Sequence, residues 1–203
     1  MPIYKEWQHG EHARGAIWKI TEPEDFFTQA TGLSSDKKTS RRRTEHLAGR
    51  FLLQQLVPGL DLQQIEISHL GKPFLPGNPL HFSISHSYPF IGAAIDRDKE
   101  VGIDVQTLTD KIHRLQYKFL SDEEQLICDN STGRITLAWA AKEAAFKRYG
   151  LGAVDFIRHM PIREMTVAEQ VASMKMEFLR ENEPLPISLH GGIEDDFAWS
   201  VTL

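Results

Sequence analysis

The sequence predicts an α+β fold. Strand-like segments and long helical segments occur in both halves of the 203-residue chain. Their order fits α+β better than a regular parallel α/β sheet, in which strands and helices alternate one by one. No internal repeat and no low-complexity linker interrupts the chain. A division near residue 100 separates an N-terminal half, 1–99, from a C-terminal half, 100–203, each with its own strands and helices.

Residues 3–7 and 15–20 read as strands. "TEPEDFFTQA" begins a helix, with Thr21 as its cap, Glu24 three residues on and Pro23 in the first turn. A longer helix is predicted over "SSDKKTSRRRTEHLAGRFLLQQLVPG", ending near Pro58 and Gly59. Leu47, Phe51, Leu52 and Leu56 recur there at helical spacing. Short strands follow at 65–69 and 81–85, separated by the Gly- and Pro-rich loop "GKPFLPGNP". "FIGAAID" and "VGIDVQ" flank the polar turn "RDKE" and read as a hairpin. In "KFLSDEEQLI", Ser121 caps a helix and Glu124 completes a capping box. "STGRITLAWAAKEAAFKRYG" is a helix closed by Gly150. "SMKMEFLR", "LPISLHGG" and "DFAWSVTL" read as strands, with Gly191 and Gly192 marking a turn.

Composition narrows the function. A net charge of -5 argues against a broad nucleic-acid-binding surface. A local basic site stays open, because Lys37, Lys38, Arg41, Arg42 and Arg43 fall in one short segment. The single cysteine, Cys128, forms no internal disulfide and suggests no zinc site, which predicts cytoplasmic residence. The start, "MPIYKEWQHGEHARG", lacks the apolar core of a signal peptide. No apolar run approaches the ~20 residues that span a bilayer, so no membrane partner is expected.

Three stretches carry candidate chemistry. Along the strand "VGIDVQ", alternation sets Ile103 and Val105 on one face and Gly102, Asp104 and Gln106 on the other. Asp104 and Gln106 would sit roughly 7 Å apart and offer the oxygens that a hard cation such as magnesium takes. The other reading of Asp104 is a solvated acid at a strand end. On the helix, Trp139, Lys142, Glu143, Phe146 and Lys147 share one broad face, which suits a cleft with an apolar wall and a charged floor. The other reading is an i,i+4 surface pair of Glu143 with Lys147 beside plain core rings. In "HFSISHS", His86 lies on the face of Phe82 and Ile84, as a core histidine or, if the strand stops at Ser85, as a phosphate ligand at its mouth. Lys72 sits in a turn between Gly71 and Pro73.

Taken in order, "AGRFLL", "GKPFL", "FSISHS", "VGIDVQ", "KFLSDEE" and "WAAKEAAFK" resemble the 4'-phosphopantetheinyl transferases of the larger, surfactin-synthetase-activating type. The "GID" and "W-x-x-K-E-A-x-x-K" patterns are the most specific. The ends of the chain match in general character alone.

The resemblance implies a pseudo-dimer of two similar α+β halves, with the active site in the cleft between them. It implies Mg2+-dependent transfer of the phosphopantetheine arm of coenzyme A to a serine of an apo acyl or peptidyl carrier protein, releasing adenosine 3',5'-bisphosphate. Asp104 and Glu143 match the magnesium carboxylates. Gln106 stands where many members carry a second acid, and its amide oxygen supplies less charge. Ser87 is an alternative ligand, and water can complete the octahedron. Lys142 and Lys147 match lysines that contact phosphates. Arg50, Lys72 and His86 match positions that hold the nucleotide end, Pro73 shapes its adenine side, and Ser85 contributes a hydroxyl. Asp104, Glu143 and Lys147 form the implied catalytic set. The serine proton goes to Glu143 or to a metal-bound water, with Glu124 as a further candidate. A site complete within one chain implies a monomer. A module that binds coenzyme A or carrier protein without turnover, and a purely structural protein, are the competing readings.

Overall fold

The computed structural model describes residues 3–77, 80–150, 152–180 and 183–203. The chain is α+β and divides into two compact units, Met1–Val101 and Gly102–Leu203.

In the first unit, β1 (Ile3–His9) and β2 (Ala13–Lys19) pair as a hairpin. Helices α1 (Glu24–Thr31) and α2 (Ser40–Leu56) follow. Short strands β3 (Glu66–Ile67) and β4 (Pro73–Phe74) pair with each other. Strands β5 (His81–Ser87) and β6 (Phe90–Asp96) complete an antiparallel sheet of order β1-β2-β6-β5. The long helix α2 packs on β2, β5 and β6, burying Leu47, Phe51 and Leu52 against Phe82, Ile91 and Ala93.

The second unit starts with β7 (Ile103–Thr107) and the short helix α3 (Ile112–Leu115), followed by a 3-10 turn at Gln116–Lys118. Helices α4 (Asp122–Cys128), α5 (Thr132–Tyr149) and α6 (Phe156–His159) come next. Strands β8 (Ile162–Ala168), β9 (Val171–Phe178), β10 (Leu185–Ile193) and β11 (Phe197–Thr202) then join β7 in an antiparallel sheet of order β7-β11-β10-β9-β8. Helix α5 lies on β7, β10 and β11.

The ends of α4 and α5 follow their local signals. Ser121 accepts from Glu124 N while Glu124 Oε2 accepts from Ser121 N at 2.8 Å, closing the expected capping box. Gly150 ends α5 in the left-handed conformation at φ 62°.

Four expectations are corrected. "RDKE" does not close a hairpin. β6 is buried along its whole length and uses both edges, on β2 and β5, while β7 pairs with β11. The turn itself is real: Asp96 Oδ1 accepts from Asp98 N at 2.8 Å and Lys99 N at 3.3 Å, and it leads the chain out of one sheet. Gly191 and Gly192 lie inside β10, opposite Ser200 and Trp199. A Cβ at Gly191 would stand 2.4 Å from Trp199 O, and one at Gly192 2.2 Å from Gln170 O, so close backbone approach, not turning, demands glycine. Thr21 does not cap α1. Pro23 occupies the cap without a side-chain bond, and Glu22 Oε2 accepts from Thr21 N instead. The long helix starts later than "SSDKK", because Thr39 accepts from Arg42 N and ends the extended approach. Strand β8 and helix α6 carried no clear signal in the sequence.

Candidate active site

Strand β7 and helix α5 meet at a glycine. A Cβ on Gly102 would lie 1.9 Å from Ala144 O and 2.7 Å from Arg148 N, so the side-chain-free residue admits the helix backbone. The room that Gly102 leaves is thus filled by α5. Gly102 is held in register by Thr202, whose hydroxyl accepts from Gly102 N at 3.0 Å.

This approach joins residues 43 positions apart. Lys147 Nζ donates to Asp104 Oδ1 at 2.7 Å and to Ile103 O at 3.1 Å. Asp104 is buried, at 5% exposure, so it is not a solvated strand-end acid. Lys147 therefore pairs with Asp104, not with its i,i+4 neighbour Glu143. The Glu143 carboxyl is pushed up from its ordinary range, first by burial and then by the Asp104 charge, while Lys147 acts in the opposite direction. Two carboxylates from different elements thus feel each other, with one ammonium beside them.

Glu143 and Gln106 line a cavity of about 870 Å³ whose other walls include Phe119, Trp139, Phe156 and Ile112. The rings interlock: Phe119 and Trp139 lie 4.8 Å apart at 67°, and Trp139 and Phe156 5.6 Å apart. Of the five residues expected on one cleft face, Trp139 and Glu143 line this cavity.

Lys142 has a different place. It is 0% exposed and donates to Glu124 Oε1 and Phe119 O, both at 2.6 Å, and to Phe156 O at 3.0 Å. Three acceptors saturate the three donors of an ammonium. Burial pulls its pKa down and the Glu124 charge opposes that shift. Glu124 is 2% exposed and also accepts from Ile162 N at 2.8 Å. The pair ties α4, α5, α6 and β8 together behind the aromatic wall. Neither residue has a donor or lone pair aimed at a ligand here, which departs from the phosphate contact expected of Lys142 and the base considered for Glu124. Cys128 packs nearby, and burial pushes its thiol up to about 12.

In the first unit, Arg42, His46 and Arg50 recur every four residues along α2 and face one cavity of about 560 Å³ with Pro73 and His86. Lys37 and Lys38 line it as well, so part of the sequence's basic segment is gathered there. Arg43 is not: it pairs with Glu24 at 2.6 Å. Arg50 is 8% exposed, and burial lowers its pKa. His86 is not the core histidine of one reading from the sequence, and it reaches the pocket without the strand stopping at Ser85. β5 runs on to Ser87, yet His86 clears the core and reaches Glu45 Oε2 at 3.4 Å. Ser85 and Ser87 fall on the opposite face of β5. Lys72 is turned elsewhere, to Glu100, which His81 also reaches at 3.1 Å. The sequence reading named Arg42 only within the basic segment and missed Glu45 and His46 as pocket residues. The four-residue spacing of His46 with Arg42 and Arg50 was the available signal.

The donor set suits magnesium. Asp104, Glu143 and Gln106 offer hard oxygens, and a divalent cation held there would relieve the repulsion felt at Glu143. Among the described residues no cluster of three or more His, Cys, Asp or Glu side chains forms a ready-made metal cage. Magnesium needs none, since one or two carboxylates, waters and substrate phosphates suffice. Among the described residues no helix is long and apolar enough to cross a membrane.

A "4'-phosphopantetheinyl transferase" of Bacillus subtilis is 30% identical over 138 residues, covering 59% of this chain and 61% of that protein. A "Putative 4'-phosphopantetheinyl transferase" of Haemophilus influenzae is 25% identical over 181 residues, covering 82% of this chain and 75% of that protein. The sequence model of the 4'-phosphopantetheinyl transferase superfamily matches residues 100–202, which hold Asp104, Glu143 and Lys147, and on that match over half its length the chain belongs to the 4'-phosphopantetheinyl transferase superfamily.

Proposed function

We propose that the protein transfers the 4'-phosphopantetheine arm of coenzyme A to a serine of an apo acyl or peptidyl carrier protein, with magnesium, and releases adenosine 3',5'-bisphosphate. The observation that carries this reading is the convergence of Asp104 from β7 and Glu143 from α5, with Lys147 bonded to Asp104 at 2.7 Å.

In the reaction, the serine oxygen forms a bond to the β-phosphorus of the diphosphate, and the bond from that phosphorus to the bridging oxygen breaks. Charge builds on bridging and non-bridging oxygens, so positioned cations lower the barrier. Asp104, Glu143 and Gln106 are the residues that would hold magnesium, which supplies Lewis-acid charge to the diphosphate when bound. Lys147 orients Asp104 and adds a fixed positive charge. In this reading the serine proton goes to Glu143 or to a metal-bound water. The largely apolar cavity beside Glu143 offers its aromatic wall to the pantetheine arm. The cationic pocket on α2 takes the nucleotide end through Arg42, Arg50 and His86, with Pro73 on the adenine side. Lys142 and Glu124 support the wall from behind instead of touching substrate. A cytoplasmic monomer belongs to the same reading.

The test is incubation with coenzyme A, magnesium and a panel of apo carrier proteins, read by mass spectrometry. A gain of one phosphopantetheine arm, lost on chelation, is the expected result. Tight binding of coenzyme A without any transfer would replace this reading by that of a binding module.

A further inference from the structure

We propose that Glu45 sets how strongly the cationic pocket distinguishes a nucleotide bearing a phosphate monoester from one bearing a bare hydroxyl. The proposal rests on the reading of that pocket as the nucleotide site.

Among the described residues lining the pocket, Glu45 is the one acid. Its side chain is 2% exposed. It accepts from Arg41 Nε at 3.1 Å and from Arg42 Nη1 at 3.2 Å, and its Oε2 lies 3.4 Å from His86 Nδ1. Arg42 Nη1 also lies 3.3 Å from His86 Nδ1. One carboxylate, two guanidiniums and an imidazole therefore form a single knot at the pocket. Arg42 and His86 are also the groups that an incoming phosphate would use. Glu45 already fills the place of an anion.

Two effects oppose each other. Glu45 organises Arg41, Arg42 and His86 before a ligand arrives, which favours binding. It also places a negative charge beside the ligand's phosphate, which disfavours binding. Exposure decides between them. The Arg41 and Arg42 side chains are 62% and 60% exposed, and ordering such solvated chains contributes little. The carboxylate is buried, where charge interactions are poorly screened. Repulsion therefore dominates. A monoester dianion still displaces Glu45 from Arg42 and His86, but with reduced gain, and a bare hydroxyl gains nothing. The product adenosine 3',5'-bisphosphate carries the same monoester, so this restraint also favours its release.

The experiment compares dissociation constants of coenzyme A and dephospho-coenzyme A by calorimetry, on the full chain and on Glu45→Gln. The wild type is expected to prefer coenzyme A. Glu45→Gln is expected to widen that preference about tenfold, through tighter coenzyme A binding, with dephospho-coenzyme A within about twofold of wild type. A narrowed preference overturns the proposal and makes Glu45 an organising residue. An unchanged preference overturns it as well. A wild type without any preference removes the nucleotide-site reading first, and the proposal with it. Should Glu45→Gln fail a thermal-melt check, Arg42→Gln provides the second reading. Loss of the contested cation must narrow the preference about tenfold, and an unaltered preference there is fatal to the proposal.

Discussion

Lys147 Nζ donates to the Asp104 carboxylate at 2.7 Å and so bridges helix α5 to strand β7. The same ammonium also reaches Ile103 O, which makes it both a structural clasp and a charge at the candidate site. Lys147→Met is expected to lower transfer by about 10²–10³-fold, the scale for removing one preorganised donor. Coenzyme A and carrier-protein titrations of the variant check this. Wild-type turnover would mean that the clasp has no part in the chemistry.

Gly102→Ala tests the approach that makes the clasp possible. The added Cβ would meet the backbone at Ala144 O, 1.9 Å away, and backbone cannot swing aside like a side chain. A stability loss of about 1–3 kcal/mol is expected, together with lost transfer under conditions where the variant is still folded. Thermal unfolding followed by activity at low temperature separates the two effects.

Lys142→Met should unfold more readily than any surface variant. It strands Glu124, which is 2% exposed, and breaking one side of a buried pair costs about 3–5 kcal/mol. Lys142→Met with Glu124→Gln should recover part of that loss, because the uncharged amide keeps an acceptor for the backbone donors that Glu124 serves. If Lys142 served substrate phosphate alone, the single variant would melt like wild type and lose coenzyme A affinity.

Gln106 lines the cavity with Glu143 and supplies an uncharged oxygen. Gln106→Glu adds a carboxylate, so the magnesium concentration giving half-maximal transfer should fall. An unaltered magnesium titration would remove Gln106 from the ligand set.

His46 links the cationic pocket to pH. Burial lowers its pKa first, and the Arg50 and Lys37 charges add to the shift, against a raising effect of Asp36. The folded chain therefore resists protonation that the unfolded chain accepts near the ordinary pKa of about 6.5. Its contribution to stability is complete above that pH and is lost as pH falls through the lower, folded value. His46→Asn should flatten the melting temperature between neutral and mildly acidic pH. A slope identical to wild type would show that other groups set it.

Local signals in the sequence predicted the ends of α4 and α5 correctly, although Thr21 failed as the cap of α1. Ser121 with Glu124, and Gly150 after Tyr149, mark helix ends because capping involves residues three or four apart. The strand at Asp104 and the helix at Glu143 were legible for the same reason, from period and motif. Partner choice was not. "RDKE" had the composition of a hairpin turn, but β6 already had β2 and β5, a fact carried by segments far away in the chain. Gly191 and Gly192 looked like turn residues because composition cannot distinguish a bend from a close approach to Trp199.

By itself, the amino-acid order determined the α+β class, the helices that carry the charged residues and the motif that places this chain in its superfamily. Tertiary structure alone decided which of two lysines on one helix faces Asp104 and which is sealed behind the aromatic wall. Lys142 and Lys147 are chemically identical. Their fates differ because burying an ammonium requires acceptors on every donor, and only the folded chain brings Glu124, Phe119 O and Phe156 O to the first while leaving Asp104 to the second.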